Sequence, residues 1–207
     1  MLKHEDYFKV HDTFTVKEMF LANVHLGHKD VSLNDNMKPF IFGSRSGHVI
    51  FDLDITAYHL RKALNFCAHI AYRDGIILFI SQNKRSTLMV ERTAKECKEF
   101  AYTRAWRNGI FTSSSSIFSC DVRLPDLCIM LNTKYETGQV HAAVHEAAKL
   151  CIPVIGIVDS DCSPNLITYP VPGNDDTPSA ISFYLKVFRT AIMRGKKKRK
   201  ESEKELK

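Results

Sequence analysis

The chain has 207 residues, 44% of them hydrophobic and 25% charged, which is ordinary for one soluble domain with its own core. No apolar run approaches the roughly 20 residues of a transmembrane helix, so the sequence excludes a membrane span. The six cysteines stand apart without a C-x-x-C pair. This argues against a disulfide framework and a zinc ribbon, and it indicates a reducing compartment.

Positive charge is concentrated near the carboxyl end. The formal net charge is +6, and the run KKKRK at 196–200 alone holds five positive residues. The rest of the chain is close to neutral, so contact with a polyanion must come from local clusters and from this tail. We expect an amino-terminal extension at 1–14, one domain at 15–194 and a basic tail at 195–207.

The first third of the chain predicts a helix, a loop, a hairpin and a second helix. Thr15 followed by Glu18 is a capping-box pattern that begins a short helix. Residues 25–38 are polar and rich in turn formers, which predicts a loop. Two short apolar runs joined by GSRSG predict a β-hairpin within 37–53, and apolar residues at helical spacing predict a helix over 54–72.

From residue 75 onward, apolar runs typical of buried strands alternate with helical patterns. The predicted strands lie in 75–81, 127–133 and 152–160, and the predicted helices in 84–100, 138–150 and 176–193. The alternation predicts an α/β fold, with a parallel sheet covered by helices on both faces. Flavodoxin-like and Rossmann-like topologies both satisfy it.

Four aspartates follow the last predicted strand and offer a hypothesis of catalysis. Asp159, Asp161, Asp175 and Asp176 could hold Mg²⁺ in a metal-dependent phosphoryl-transfer enzyme. The chain has neither of the glycine-rich phosphate-binding motifs, which argues against a nucleotide enzyme. We expect instead that Asn174 or Asp175 caps the closing helix, and that Asp175 and Asp176 open it, where carboxylates complement the helix dipole. No catalytic residue, metal or cofactor is therefore expected.

Basic and aromatic residues offer a different hypothesis, contact with a phosphate backbone. Lys84 and Arg85 follow the first buried strand, and Arg104 and Arg107 flank the single tryptophan, Trp106. Arginine matches phosphate geometry, and the indole either stacks on a base or packs locally.

Further polar residues extend this hypothesis toward the amino terminus. Lys38 and Arg45 could join the same basic patch. His25 and His28 are interrupted by Gly27 and lack further ligands nearby, so contact with a partner is favoured over a metal site.

Five motifs occur in order and resemble one known family. They are VHLGH (24–28), MKPFIFGSRSGHVIFDL (37–53), ILFISQNKR (77–85), HEAAKLCIP (145–153) and IVDSDCSPNLITYPVPGNDD (157–176). On these motifs, residues 15–194 resemble the S2 family of small-subunit ribosomal proteins. The resemblance implies a flavodoxin-like sheet and no catalysis.

The resemblance also implies partners and contact residues. It implies binding to small-subunit ribosomal RNA and neighbouring ribosomal proteins at the head–body junction, with no membrane and no homo-oligomer. The RNA-facing residues that it implies are His25, His28, Asn36, Lys38, Arg45, Lys84, Arg85, Arg104, Trp106 and Arg107. An alternative is a protein-binding adaptor, like the receptor-like cytosolic relatives of this family.

One departure from the bacterial pattern points to an organelle. Bacterial members carry a long helical-hairpin insertion, whereas this chain runs almost directly from Ser113–Ser116 to Leu124. The short connection, the LKHEDYF lead-in and the LITYPVPGNDD loop resemble animal mitochondrial members. The resemblance therefore implies the mitochondrial ribosome, in the matrix.

Overall fold

A computed structural model describes residues 6–135 and 137–205. The helices are α1 (Val16–Leu21), α2 (Leu53–Tyr72), α3 (Thr87–Cys97), α4 (Ser114–Phe118), α5 (Ala142–Lys149) and α6 (Pro178–Glu205). The strands are β1 (Leu26–Lys29), β2 (Ile41–Arg45), β3 (His48–Phe51), β4 (Ile77–Ile80), β5 (Phe100–Tyr102), β6 (Leu127–Met130), β7 (Val154–Val158) and β8 (Tyr169–Pro172). In this part of the chain, no helix has both the length and the hydropathy needed to cross a bilayer.

Five parallel strands form the central sheet, in the order β5-β4-β6-β7-β8. This is the flavodoxin-like order, which confirms the predicted α/β fold class. Strands β6 and β7 are buried along their whole length, as their continuous apolar sequences predict. Strand β8 was missed because its sequence, YPVP, contains two prolines. An edge strand tolerates proline since one side of its ladder is unpaired.

The second sheet is antiparallel and has three strands, in the order β1-β3-β2. The predicted hairpin is confirmed. Its turn residues Ser46 and Gly47 both have positive φ, which matches the twist of a two-residue hairpin. Strand β1 lies in the segment predicted as a loop. A Cβ added to Gly27 would lie 3.0 Å from the Ser160 hydroxyl oxygen, so glycine lets β1 approach the end of β7.

One hydrophobic cluster lies where α2, α3 and α6 cover one face of the central sheet, and a second contains residues of α5 and of the small sheet. The residues before α1 join the first cluster through buried Phe8, Val10 and Phe14.

Helix α6 does not end near residue 193 as predicted but continues through the basic run to Glu205. Gly195 lets α6 pass close to α2, because a Cβ there would clash with the Ala68 carbonyl oxygen.

The connection from β5 to β6 is short, as the sequence predicts. Helix α4 is the single helix between these two strands, and it has five residues. No long helical hairpin separates these two strands.

Candidate nucleic-acid interface

A cleft of about 1170 Å³ opens at the carboxyl ends of the parallel strands. Strand order reverses between β4 and β6, and open α/β sheets bind ligands beside such a reversal. Four of the residues predicted to contact RNA line this cleft, namely His28, Lys84, Arg85 and Arg104. The fold therefore brings together residues that are up to 76 positions apart in sequence.

A tight turn after β4 presents two of these cations. Asn83 accepts a hydrogen bond from the backbone N–H of Arg85 through its side-chain oxygen, at 3.0 Å. The backbone oxygen of Asn83 accepts from both the N–H and the hydroxyl of Ser86, each at 3.0 Å. Because these bonds hold the backbone, the side chains of Lys84 and Arg85 are left exposed at the rim of the cleft.

The opposite wall of the cleft is acidic. Asp161 follows β7, and Asp175 and Asp176 follow β8, so both loops contribute carboxyl groups. Lys134, after β6, lies between the two walls, and its ammonium group is 2.7 Å from a carboxylate oxygen of Asp161. The cleft thus separates positive from negative charge.

His28 joins β1 to this acidic wall. Its Nδ1 is 3.0 Å from Asp159 and its Nε2 is 3.2 Å from Asp176. The hydrogen bonds to these two carboxylates raise the pKa of His28 to about 11, against the opposing effect of burial. An imidazolium therefore holds the small sheet against the loops after β7 and β8 at neutral pH.

Three donor atoms in this cluster have the spacing of a metal site. One ligand atom each from His28, Asp159 and Asp161 lies within 4.8 Å of the others. A metal ligand must lose its proton, and the imidazole carries one here. The two protein cations, His28 and Lys134, already neutralise these carboxylates.

The prediction that Asp175 and Asp176 cap the closing helix is wrong. Helix α6 begins at Pro178, and the Asn174 side-chain oxygen accepts the N–H groups of Asp176 and Thr177, at 2.9 and 3.3 Å. Asp175 is buried, and burial together with the nearby charges of Asp159 and Asp176 raises its pKa well above the usual range. Both effects favour the protonated form of its carboxyl group.

An amide that follows β6 explains how the Asp175 carboxyl group is accommodated. The Asn132 side-chain nitrogen donates to the backbone oxygen of Asp175 at 3.1 Å and to its carboxyl oxygen at 3.3 Å. The side-chain oxygen of Asn132 accepts from the Ser81 hydroxyl at 3.1 Å. Asn132 thus links the ends of β4, β6 and β8.

Glu146 on α5 organises the loop that carries the predicted arginines. Its carboxylate accepts hydrogen bonds from the Trp106 indole N–H at 3.2 Å, from Gly109 N–H at 2.7 Å and from Phe111 N–H at 2.9 Å. Burial would raise the pKa of Glu146, but these hydrogen bonds outweigh it and lower the pKa. The loop is fixed from inside, and Arg107 remains exposed.

The Trp106 side chain has the contacts of local packing. Its ring meets Tyr102, Phe111 and His141 in edge-on arrangements, with centroids 5.0, 5.0 and 5.7 Å away. The ring is half-buried against the second hydrophobic cluster. Of the two roles that the sequence leaves open, base stacking and local packing, the geometry favours packing.

The remaining predicted residues lie outside the cleft. His25 stacks on Phe20 with centroids 4.4 Å apart, and burial lowers its pKa. Arg45 lines an adjoining groove of about 800 Å³ along the small sheet. Asn36 is exposed, and the exposed Lys38 pairs with Asp35 at 2.8 Å.

Sequence reasoning missed Glu146, Asn132 and Lys134. For Glu146 a signal was present, because it lies three residues after Ala143, on the buried face of α5. A carboxylate at an apolar position of a helix needs several donors. Asn132 and Lys134 gave no such signal, since their partners come from other strands.

Comparison with known proteins identifies similar chains. The family model described as Ribosomal protein S2 matches residues 19–122 and 119–195. Small ribosomal subunit protein uS2m of Bos taurus is 48% identical over 202 residues, covering 98% of this chain and 69% of the bovine protein. Small ribosomal subunit protein uS2 of Rhizobium leguminosarum bv. trifolii is 30% identical, covering 88% of this chain and 86% of that protein. The corresponding protein of Rickettsia bellii is 28% identical, with coverage of 87% and 76%.

Proposed function

This chain belongs to the ribosomal protein S2 family, and we propose that it is a structural component of the small subunit of the mitochondrial ribosome. The 48% identity with the bovine uS2m protein, over 98% of the chain, supports this assignment. As a member of a family of structural ribosomal proteins, the chain is not an enzyme. The aspartates thus serve the fold and its contacts rather than phosphoryl transfer.

In this proposal the chain acts in the mitochondrial matrix, as a single copy at the head–body junction of the subunit. Its partners are the small-subunit ribosomal RNA and neighbouring ribosomal proteins. The observation that carries the RNA contact is the grouping of exposed Lys84, Arg85 and Arg104 on one wall of the cleft. Such cations bind phosphates with release of counterions.

Removal of charge from this surface tests the proposal. We expect a variant with glutamine at Lys84, Arg85, Arg104 and Arg107 to bind small-subunit RNA less tightly. The slope of log affinity against log salt should fall by roughly 0.7–0.9 for each RNA phosphate that the variant no longer neutralises. The variant should also sediment with small subunits at a lower level while its thermal midpoint is unchanged, since exposed charges contribute little to stability.

The matched control removes the same number of charges from other exposed positions. Glutamine replaces Lys17, Lys95, Lys149 and Lys186. Wild-type salt dependence and wild-type incorporation of the cleft variant would contradict the proposed RNA contact. An equal loss in the control would show that net charge, and not this surface, determines binding.

A further inference from the structure

We propose that the cleft at the carboxyl ends of β4 and β6 binds one unpaired guanine nucleotide of the RNA, with its phosphate on the cationic wall and its base on Asp176. The inference rests on the proposed RNA-binding function and adds which nucleotide the surface selects. RNA-binding proteins read sequence chiefly from unstacked bases, which expose their hydrogen-bonding edges.

The phosphate side of the site consists of cations that are free to bind. Lys84, Arg85 and Arg104 line the cleft and are exposed. Among the described side chains of residues 6–135 and 137–204, no carboxylate lies within salt-bridge distance of any of the three. A phosphate group would therefore meet these charges without having to break an existing ion pair.

Asp176 is the carboxylate of the acidic wall that remains available. Asp161 already accepts from Lys134 through one oxygen and from the Cys162 thiol through the other. Asp175 is buried, and its carboxyl group accepts from the Asn132 side chain. Asp176 is exposed, and its ion pair with His28, at 3.2 Å, lowers its pKa and keeps it ionised.

The edge of guanine matches this carboxylate better than the other bases do. Guanine presents two adjacent N–H donors, N1–H and N2–H, on its Watson–Crick edge. Adenine, cytosine and uracil each place an acceptor beside their donor, and that acceptor would face the carboxylate oxygen. A bidentate contact of this kind discriminates between bases.

The dimensions and lining of the cleft suit a nucleotide. The cleft holds about 1170 Å³, somewhat more than the roughly 300–1,000 Å³ of typical ligand pockets, so a nucleotide has room to enter it. Tyr135, whose ring is stacked on His141 with centroids 4.5 Å apart, adds an aromatic surface to the lining. The charge of Arg85 also lowers the pKa of Asp176. The cationic and acidic walls are therefore close enough to interact electrostatically across the cleft.

The first test varies the base and leaves the protein intact. Short oligouridylates that carry one central guanine, 7-deazaguanine, inosine or adenine are titrated with the full-length chain at low salt. We expect guanine and 7-deazaguanine, which share the Watson–Crick edge, to bind roughly fivefold or more tighter than adenine. Inosine lacks the N2 amino group and should lose much of that advantage. Equal binding of all four would overturn the nucleotide site and leave the RNA-binding proposal standing.

The second test varies the protein. In Asp176→Asn we expect the preference for guanine to disappear, while oligouridylate binds as well as or better than before, because the cleft that holds the phosphate loses a negative charge. Asp121→Asn, an exposed carboxylate on the β5–β6 connection, is the control and should keep the preference. A preference retained in Asp176→Asn would overturn the assignment. Failure of every oligonucleotide and of small-subunit RNA to bind would contradict the proposed function, and the site with it.

Discussion

The ammonium nitrogen of Lys196 lies 2.5 Å from a carboxylate oxygen of Glu99. The same ammonium group donates to the Cys97 and Lys98 carbonyls, and so caps the carboxyl end of α3. The second oxygen of Glu99 accepts from the N–H of Ile77, at the start of β4. Arg199, three residues along, pairs with Asp74 after α2. Part of the basic run therefore holds α6 against the fold.

Replacement of Lys196 should destabilise the protein. In Lys196→Met, the largely buried Glu99 loses its counterion and the end of α3 loses its cap. We expect the free energy of unfolding to fall by about 2–4 kcal/mol, as is typical when one member of a buried pair is removed. Urea denaturation measures this. Lys197→Met, at an exposed neighbour, should stay within about 0.5 kcal/mol of wild type, and an equal loss there would contradict the distinction.

Replacement of Glu146 should loosen the loop that carries Arg107. In Glu146→Ala, the N–H groups of Gly109, Phe111 and the Trp106 indole lose their shared acceptor inside the protein. We expect a loss of about 2–4 kcal/mol in stability, since each donor left unsatisfied is costly. Thermal unfolding measures the loss, and tryptophan fluorescence should shift to longer wavelength as the ring is exposed.

Lys149→Gln on the same helix is the matched control, because its side chain is exposed. Its melt and fluorescence should both equal those of the wild type. A Glu146→Ala protein with unchanged fluorescence would contradict the view that this carboxylate orders the loop.

Substitutions of Trp106 separate packing from stacking on RNA. In Trp106→Ala we expect the thermal midpoint to fall, with a loss of about 2–4 kcal/mol for a half-buried ring that packs on three aromatic neighbours. Trp106→Phe keeps most of the packing and loses the hydrogen bond to Glu146, so about 1 kcal/mol is expected. An unchanged melt with lost RNA affinity would instead favour base stacking.

The contribution of His28 to stability should depend on pH. Its pKa is about 11 in the folded protein and 6.5 for an ordinary histidine. Because the folded value is raised, the stabilisation is fully present below about pH 6.5 and is lost as the pH rises toward 11. The difference in unfolding free energy between wild type and His28→Gln should therefore be largest near about pH 6 and narrow toward about pH 10. Urea titrations at several pH values measure it, and a constant difference would contradict the ionic clamp.

The choice of His28→Gln leaves the two carboxylates in place and removes only the titrating charge. His145→Gln provides the matched control, since this histidine is exposed on α5. The control measures the effect of replacing an exposed histidine by glutamine.

The sequence alone determined the fold class of this protein. Continuous apolar runs such as 127–133 and 152–160 predict strands buried on both faces, and a parallel sheet with helices follows from their alternation with helical patterns. The hairpin in 37–53 was also predictable, because the turn residues Ser46 and Gly47 carry their conformation locally. The strands and the hairpin turn are predictable because they depend on residues that are close together in the sequence.

Only the tertiary structure decided the roles of the charged side chains. In sequence, Asp175 is an ordinary helix-opening carboxylate; in the fold it is buried beside Asp159, and its pKa is raised well above the usual range. Lys196 belongs to a basic run, yet it becomes the partner of Glu99, 97 positions earlier. The physical reason is that the charge state and partner of an ionisable group depend on burial and on groups that other strands and helices supply. Local periodicity carries no information about either.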